Sequence, residues 1–586
     1  MGKSTEFSKE WVQKIKKAAE LRERFVKYNG KPWKEVYQDG RKYYRGDWAE
    51  DIIPVNRTFS FGRSLIPAVY FRSPRVTVTA LRPEYVLNAR VVEAVDNYLI
   101  QHTKLKKTLK MAALHAYLAG YGPIKLGYDS EFGYIPDQAV GSDMMTATQF
   151  GKSQVRNIEY NENIQPGLPW ALPEKPENII VPFNYQDPDS LPWIANILLR
   201  PLEDVKQDQK YKNTKDLQGT KTLHHLSPEK RSPFLHETGE VLAELIEVRD
   251  LSTGMIYVIC EDRLLLAVDD ALQIAGLPWE FVIFNDDPEY FGGIPDVCII
   301  EPQQLELNEI RTQASRHRKI ALLKFLFQKG VMTEEELTKF FSGEVGPGIE
   351  VDTDMLSSAV QLLQPHVPTD LQAEAQVVKG DMRESIGMSE NQAGAFTPYH
   401  NKTAAETLQV AGAFEERTNE RRDIMADVLR SIITKWNKYI FQFWTGERVV
   451  QIAGPNGAPL WVKYTGEQIK GEYALRIDPD TGFPATKALR QQAADILMRT
   501  YGGDPLIDQV RLRELHLEQF EWLYPGVTSL VAQQDPEVAS ALGQERQPGP
   551  AFSGGSLGRP QGGRQGESPE NAINFEQAKK KFEENK

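Results

Sequence analysis

The chain has 586 residues, with 69 Lys and Arg against 81 Asp and Glu, and a formal net charge of −12. Such a length exceeds what one hydrophobic core organises and implies roughly two to four domains. The negative balance excludes a protein that coats nucleic acid over a broad positive surface. A composition of 41% hydrophobic and 26% charged residues is that of an ordinary soluble protein. No apolar run approaches the ~18 residues of a membrane span. The first residues lack the apolar core of a signal peptide, and Glu6 breaks the myristoylation pattern. Cys260 and Cys298 are the only cysteines, which rules out a disulfide framework or a thiolate zinc site and points to a reducing cytosol.

In chain order, residues 7–28 predict an amphipathic helix, with Trp11, Ile15, Ala18, Leu21 and Phe25 at spacings of three and four. Asn29, Gly30 and Pro32 stop it. An aromatic segment follows, with Trp33, Tyr37, Tyr43, Tyr44 and Trp48. It could stack bases, or serve as a satellite core or an anchor against a partner subunit. Residues 56–70 read as a short helix and 75–81 as a strand. Pro83 opens a helical pattern reaching Ala119, stopped by Gly120 and Gly122. Residues 124–128 and a partner around Tyr134 suggest a hairpin. The middle is strand-rich, over 179–181, 193–199, 243–248, 255–260 and 264–268, and the last three form a meander with a turn over 250–254. Residues 203–226 are polar and read as a surface helix plus loop. Helical patterns return over 295–327, 371–386 and 401–444, the last on the order of 60 Å long at about 1.5 Å per residue. Residues 387–400, with Gly387, Gly394 and Pro398, cannot continue either neighbouring helix. Residues 448–453 and 460–464 flank Gly454, Pro455, Asn456 and Gly457, a hairpin signal. A strand over 473–477, a helical stretch over 484–524, a Gly-, Pro-, Gln- and Ser-rich disordered run over 535–571 and a small charged helix over 575–586 complete the chain.

No set of residues carries catalysis. Gly2-Lys3-Ser4 and Gly151-Lys152-Ser153 resemble pieces of a phosphate loop, but the glycine five residues upstream is missing; Thr146 stands there ahead of Gly151. The His224–His225 pair has diverging side chains and no metal-ligand spacing, and His236 has no partner histidine. From 310 to 333 there is no acidic residue, while Arg311, Arg316, Arg318, Lys319, Lys324 and Lys329 all occur. Two readings stand open. The stretch contacts phosphates without reading bases, or it is a solvated face or an interface pairing with acids of a neighbouring subunit, such as Glu374, Asp381 or Glu384.

Several blocks, in this order, resemble the portal proteins of tailed bacteriophages, especially those of podovirus-like heads. They are Asn56 to Phe59 leading to Leu65-Ile66-Pro67-Ala68-Val69-Tyr70-Phe71-Arg72-Ser73-Pro74 and the strand from Val76; Ala119-Gly120-Tyr121-Gly122-Pro123-Ile124-Lys125-Leu126-Gly127-Tyr128; and Asn178-Ile179-Ile180-Val181-Pro182 with Asp187-Pro188 and Trp193-Ile194. Then come Gly276-Leu277-Pro278-Trp279, Phe291-Gly292-Gly293-Ile294-Pro295 and Glu301-Pro302-Gln303-Gln304-Leu305-Glu306-Leu307-Asn308. The last block is Met388-Ser389-Glu390-Asn391-Gln392-Ala393-Gly394 with Lys402-Thr403-Ala404-Ala405-Glu406.

The resemblance implies an α+β portal-type fold: an α+β wing, a two-helix stem, a small α/β clip, a long helix behind a tunnel loop, a helical crown and a disordered C-terminal tail. Placed on this chain, 1–29 is an N-terminal helix, 30–296 with 402–480 the wing, 297–327 and 371–386 the stem helices, and 328–370 the clip. The tunnel loop is 387–401, the long wing helix 402–446, the wing strands 447–480, the crown 481–530 and the tail 531–586. It further implies a twelve-subunit ring at one capsid vertex, passing double-stranded DNA sequence-independently in packaging and ejection, without catalysis or cofactor. Its partners would be the terminase large subunit, a head–tail adaptor, and the major capsid and scaffolding proteins. It would reside in the virion, and in the host cytoplasm during assembly. Candidate channel residues are Gln392, Phe396, Tyr399, His400 and Lys402 in the loop, with Arg311, Arg316, Arg318 and Lys319 on the first stem helix. Candidates for clip and adaptor contacts are Lys329, Glu334, Glu335, Glu336, Phe340 and Phe341. The rival expectation from another class is a packaging nuclease or ATPase.

Overall fold

The computed structural model describes residues 2–69, 74–131, 161, 163–219, 241–320, 324–327, 334–335, 360–363, 370–386, 404–453, 459–478, 487–501, 516–517 and 573–574. Helix makes up 52% of it and strand 22%, which makes the class α+β. The expectations for Tyr134, the loop over 387–401, most of 328–370, most of 502–530 and nearly all of the tail lie outside these residues.

Helix α1 (Gly2–Phe25) buries Trp11, Ile15 and Ala18 as its spacing predicts, whereas Phe25 is 54% exposed. Positive φ at Asn29 and Gly30 turns the chain into a minimal hairpin, β1 (Lys27–Tyr28) and β2 (Lys31–Pro32). The aromatic segment is helix α2 (Trp33–Arg45), and it corrects the satellite-core and anchor readings: Trp33 and Tyr37 are fully buried in the main core. Trp33 stacks between Tyr37 and Tyr121 and donates its indole N–H to the Ala119 carbonyl at 2.8 Å. These rings are therefore closed to bases and to a partner alike. Only Tyr43, stacked on Trp48 at 4.6 Å, and Tyr44 lie nearer the surface.

Helix α3 (Arg57–Val69) leads to β3 (Arg75–Ala80). The long helical pattern from Pro83 is in fact two helices, α4 (Val86–His102) and α5 (Leu105–Ala119). Lys104, at φ 54°, breaks the ladder between them. Next comes β4 (Tyr121–Tyr128), buried at every position and central in a three-stranded antiparallel sheet between β5 (Pro169–Pro173) and a later strand, β11 (Trp279–Ile283), so residues 124–128 pair with 169–173 and not in the short hairpin expected with a strand around Tyr134. The close packing of β4 on α5 explains Gly122, where a Cβ would stand 1.9 Å from the Ala112 carbonyl oxygen.

A five-stranded antiparallel sheet has the order β10 (Arg263–Asp269), β9 (Met255–Cys260), β8 (Leu242–Asp250), β7 (Trp193–Pro201), β6 (Ile179–Ile180). Its period-two alternation feeds two clusters. Ile246, Val248, Tyr257 and Ile259 meet α1, with Trp11 edge-on to Trp193. Leu245, Ile256 and Val258 meet Leu202 and Val205 of α6 (Leu202–Gln207) and the buried Tyr211 and Leu217. The described part of the segment expected as polar surface, up to Leu217, thus packs on the second face of this sheet.

After β11 (Trp279–Ile283) comes α7 (Asp296–Ile320). The helix stops at Ile320, short of the expected Phe327. Lys324–Phe327 is instead strand β12, paired antiparallel with β13 (Val360–Leu363). Then follow α8 (Asp370–Ile386) and the 40-residue α9 (Ala404–Phe443). The C-terminal half of α9 buries Met425, Leu429, Ile432, Ile433, Trp436 and Ile440 in the main core. β14 (Arg448–Ala453) and β15 (Pro459–Tyr464) form the expected hairpin. β16 (Tyr473–Asp478) returns to pair with β3, α10 (Lys487–Tyr501) follows, and β17 (Ile573–Asn574) lies parallel to β15.

Charge is buried inside this body, and it is paired. Lys125 of β4 donates to Glu247 of β8; Arg249 donates to Glu247 at 3.0 Å and, from one Nη, to both carboxylate oxygens of Asp270 at 2.9 Å. Each of these four side chains is 2% exposed or less. From α9, Lys435 bonds Glu280 and the carbonyls of Leu277 and Trp279. One ionic spine thus ties both sheets together, and a second ion pair ties α9 to β11.

Candidate functional site

Three faces of α7 are held by different chemistry. Ile300, Leu307 and Ile310 form the apolar face, which packs with Val378, Met382 and Ile386 of α8 and with Phe61 of α3. Gln304, Asn308 and Thr312, four residues apart, form a buried polar rail on which residues 53–56 and the first turn of α3 are hung. The Thr312 hydroxyl accepts from the Ile53 N–H, the Asn308 amide oxygen from Val55, and the Gln304 amide oxygen from Arg57 and Thr58. At the N-terminal end, Asp296 receives a two-pronged bond from Arg421 of α9 at 2.7 and 3.0 Å, which roots the helix in the body. One turn on, the buried Glu301 accepts from Lys31, Asn29 and Tyr43.

These anchors leave a groove of about 580 Å³ between segment 53–55, α7 and α8. Its floor is apolar, with Val55, Ile310, Ala314 and Ala375, and its rim carries Arg311, Arg318 and Lys379. Helix α7 leads out to β12 and α8 returns from β13, the antiparallel partner of β12, to pack along α7, so the two helices run antiparallel. Burial, and then the charges of Arg57, Arg311 and Arg383, lower the Lys379 ammonium below its usual range. Burial and Arg383 likewise lower Arg57, whose Nε is buried without a hydrogen-bond partner among the described residues. Among those residues no carboxylate pairs with Arg57, Arg311 or Lys379. Such a site attracts anions, carboxylate or phosphate, and the apolar floor favours one that brings an apolar group with it.

Of the residues singled out by sequence, Arg311 and Arg318 meet at this rim. Arg316 points elsewhere, 3.7 Å from the exposed Asp51, an ion pair worth little in water. Lys319 lies on α7. Glu334 and Glu335 are exposed. Gln392, Phe396, Tyr399, His400, Lys402, Lys329, Glu336, Phe340 and Phe341 lie outside the described residues. The linear search for an acid-free window missed Arg57, Lys379 and Arg383. A signal existed for two of them: Lys379 and Arg383, four apart, share one helix flank.

Chemistry elsewhere is quiet. Burial pushes both thiols, Cys260 and Cys298, up to about 12, so neither is a thiolate at neutral pH. Among the described residues no group of three or more His, Cys, Asp or Glu could hold a metal ion, and no helix is long and apolar enough to cross a membrane. No protein-family model matches the chain, and no curated protein does.

Proposed function

We propose that the chain is the subunit of a portal-type ring at one capsid vertex, through which double-stranded DNA is packaged and ejected, and that it acts without catalysis. The observation that supports this best is the excursion from the body. Helix α7 leaves a rooted end at Asp296, passes into the antiparallel pair β12–β13, and returns as α8, packed along α7. The 40-residue α9 then re-enters the core. That order of helix, small strand pair, helix and long helix is the order the resemblance assigns to stem, clip, stem and wing helix, with the clip beginning by Lys324. In this reading the body is the wing, the ring docks the terminase large subunit and a head–tail adaptor, and capsid and scaffolding proteins surround it. The net negative charge keeps a moving duplex from being trapped on the wall. Negative-stain electron microscopy of the purified protein tests the proposal. Rings of twelve- or thirteen-fold symmetry with an open axial channel are expected; channel-free particles, or ATP or DNA hydrolysis lost on substitution of specific carboxylates, would sink it in favour of a packaging enzyme.

A further inference from the structure

Helix α8 is charge-polarised about its buried stripe. At about 100° per residue, Lys379 and Arg383 fall on one flank of Val378 and Met382, and Glu374 and Asp381 fall on the other. Between these two acids and Glu384 stands Val377, an aliphatic side chain left 62% exposed. Glu374 and Asp381 are themselves exposed, with no ion-pair partner among the described residues. The groove on the opposite side is the counterpart of this flank, with cations on the rim and an apolar floor. The spacing also matches: Glu374 and Asp381 are seven residues apart on α8, Arg311 and Arg318 seven apart on α7, about 10 Å in each case.

We propose that the groove is the docking site for a second copy of this chain: the Glu374–Val377–Asp381 flank of one copy seats in the Arg311–Arg318–Lys379 groove of the next. The two surfaces lie on opposite sides of one helix pair, so the contact is heterologous, and its repetition closes into a ring where the rotation permits. Closure requires zero rise. With zero rise each residue keeps its height from copy to copy, and within the chain Lys379 of α8 already stands near Arg311 of α7. Rotation about an axis along the helices therefore brings the acids of the next copy to the height of the guanidiniums, Glu374 toward Arg318 and Asp381 toward Arg311. The docked carboxylates offset the like charges gathered around Lys379, and Val377 covers the apolar floor. The closed form of the contact rests on the ring reading above; the pairing of flank and groove does not.

Two variants test it, Glu374→Lys with Asp381→Lys, and Arg311→Glu with Arg318→Glu. Each places like charges across every contact and is expected to weaken assembly by roughly a hundredfold or more, leaving folded monomers in sedimentation velocity. Mixed in equal amounts they are complementary again, and particles of wild-type size are expected. A variant that assembles alone as the wild type does, or a mixture that stays monomeric, overturns the proposal while leaving the ring reading intact. A groove variant that keeps its rings but loses binding of a duplex DNA probe overturns it in favour of phosphate as the groove's ligand. Wild-type protein that is monomeric at every concentration overturns both.

Discussion

The body and the α7–α8 pair treat charge in opposite ways. In the body, burial alone would lift the Glu247 carboxyl, but Lys125 and Arg249 outweigh it and hold it below its usual range. Arg249 in turn is raised, with Asp270 and Glu247 overcoming its burial. In and beside the groove, burial comes first and like charges add to it, with no carboxylate to oppose them, so Lys379 and Arg57 both fall. A buried ion closed by its counter-ion holds sheets in register and has nothing left to offer a partner. A half-buried cation facing others of its kind costs the monomer a little and offers that energy to whatever anion arrives.

That contrast can be broken most forcefully in the spine. Glu247→Ala leaves Lys125 and Arg249 buried without their shared carboxylate, and a loss of about 3–5 kcal/mol in urea unfolding is expected. A loss below about 1 kcal/mol would mean that water reaches the spine. Arg421→Ala comes next. It removes the two-pronged bond to Asp296, whose side chain is 1% exposed, and should cost about 2–3 kcal/mol. It should also loosen α7 first, which hydrogen exchange at 297–304 would detect.

One buried carboxylate in the body departs from the rule. Asp96 of α4 faces α9, where its Oδ2 accepts from Asn437 at 3.1 Å while Oδ1 has no hydrogen-bond partner among the described residues. Burial pushes its carboxyl up to about 8; the Asn437 bond opposes this and Glu93, one turn away, adds to it. The unfolded value is about 3.9, so between about pH 4 and 8 the folded state holds a proton that the unfolded state has released. Stability is therefore full below the unfolded value and is lost as pH rises through the folded one. The decline should be on the order of 2 kcal/mol between pH 6 and 8. Asp96→Asn should flatten it and be the more stable protein at pH 8; an unchanged slope in denaturant titrations at several pH values would show that another group carries it.

The legible parts of this fold were those whose partners are near in sequence. The β8–β10 meander and the β14–β15 hairpin are bounded by their own turns, and α9 carries its core stripe over its C-terminal half. Pairings across distance were not legible. Strand β3 was expected, but not that β16, some four hundred residues on, would be its partner, nor that β11 would flank β4. Lys324–Phe327 was misread as helix because its strand state depends on β13, more than thirty residues away. The groove failed to show for the same reason. Two of its three cations lie in the acid-free window, but Lys379, and Arg57 beside it, arrive from two other segments, carried by the apolar seam of α8 and the Gln304–Asn308–Thr312 rail. Four-residue spacing of amides on a helix was the readable sign of that rail.

The smallest expected effect sharpens the comparison most, because its sign is opposite to that of Glu247→Ala and Arg421→Ala. Replacing Lys379 with Met keeps an unbranched stem over the groove and removes one charge from a cluster of like sign. The folded-state pKa is depressed, so the unfolded chain binds the proton more tightly, and stability rises as pH climbs toward the ordinary lysine value near 10.4. Lys379→Met should therefore stabilise the monomer slightly at neutral pH, by about 0.5 kcal/mol or less because the group is only partly buried and solvent screens it. Added salt should stabilise the wild type more than the variant. A spine residue can only lose stability when its charge is removed. If Lys379→Met is clearly destabilising in thermal melts at low salt, the ammonium has a compensating anion within the monomer, and the groove belongs with the architecture of the body, not with its contacts.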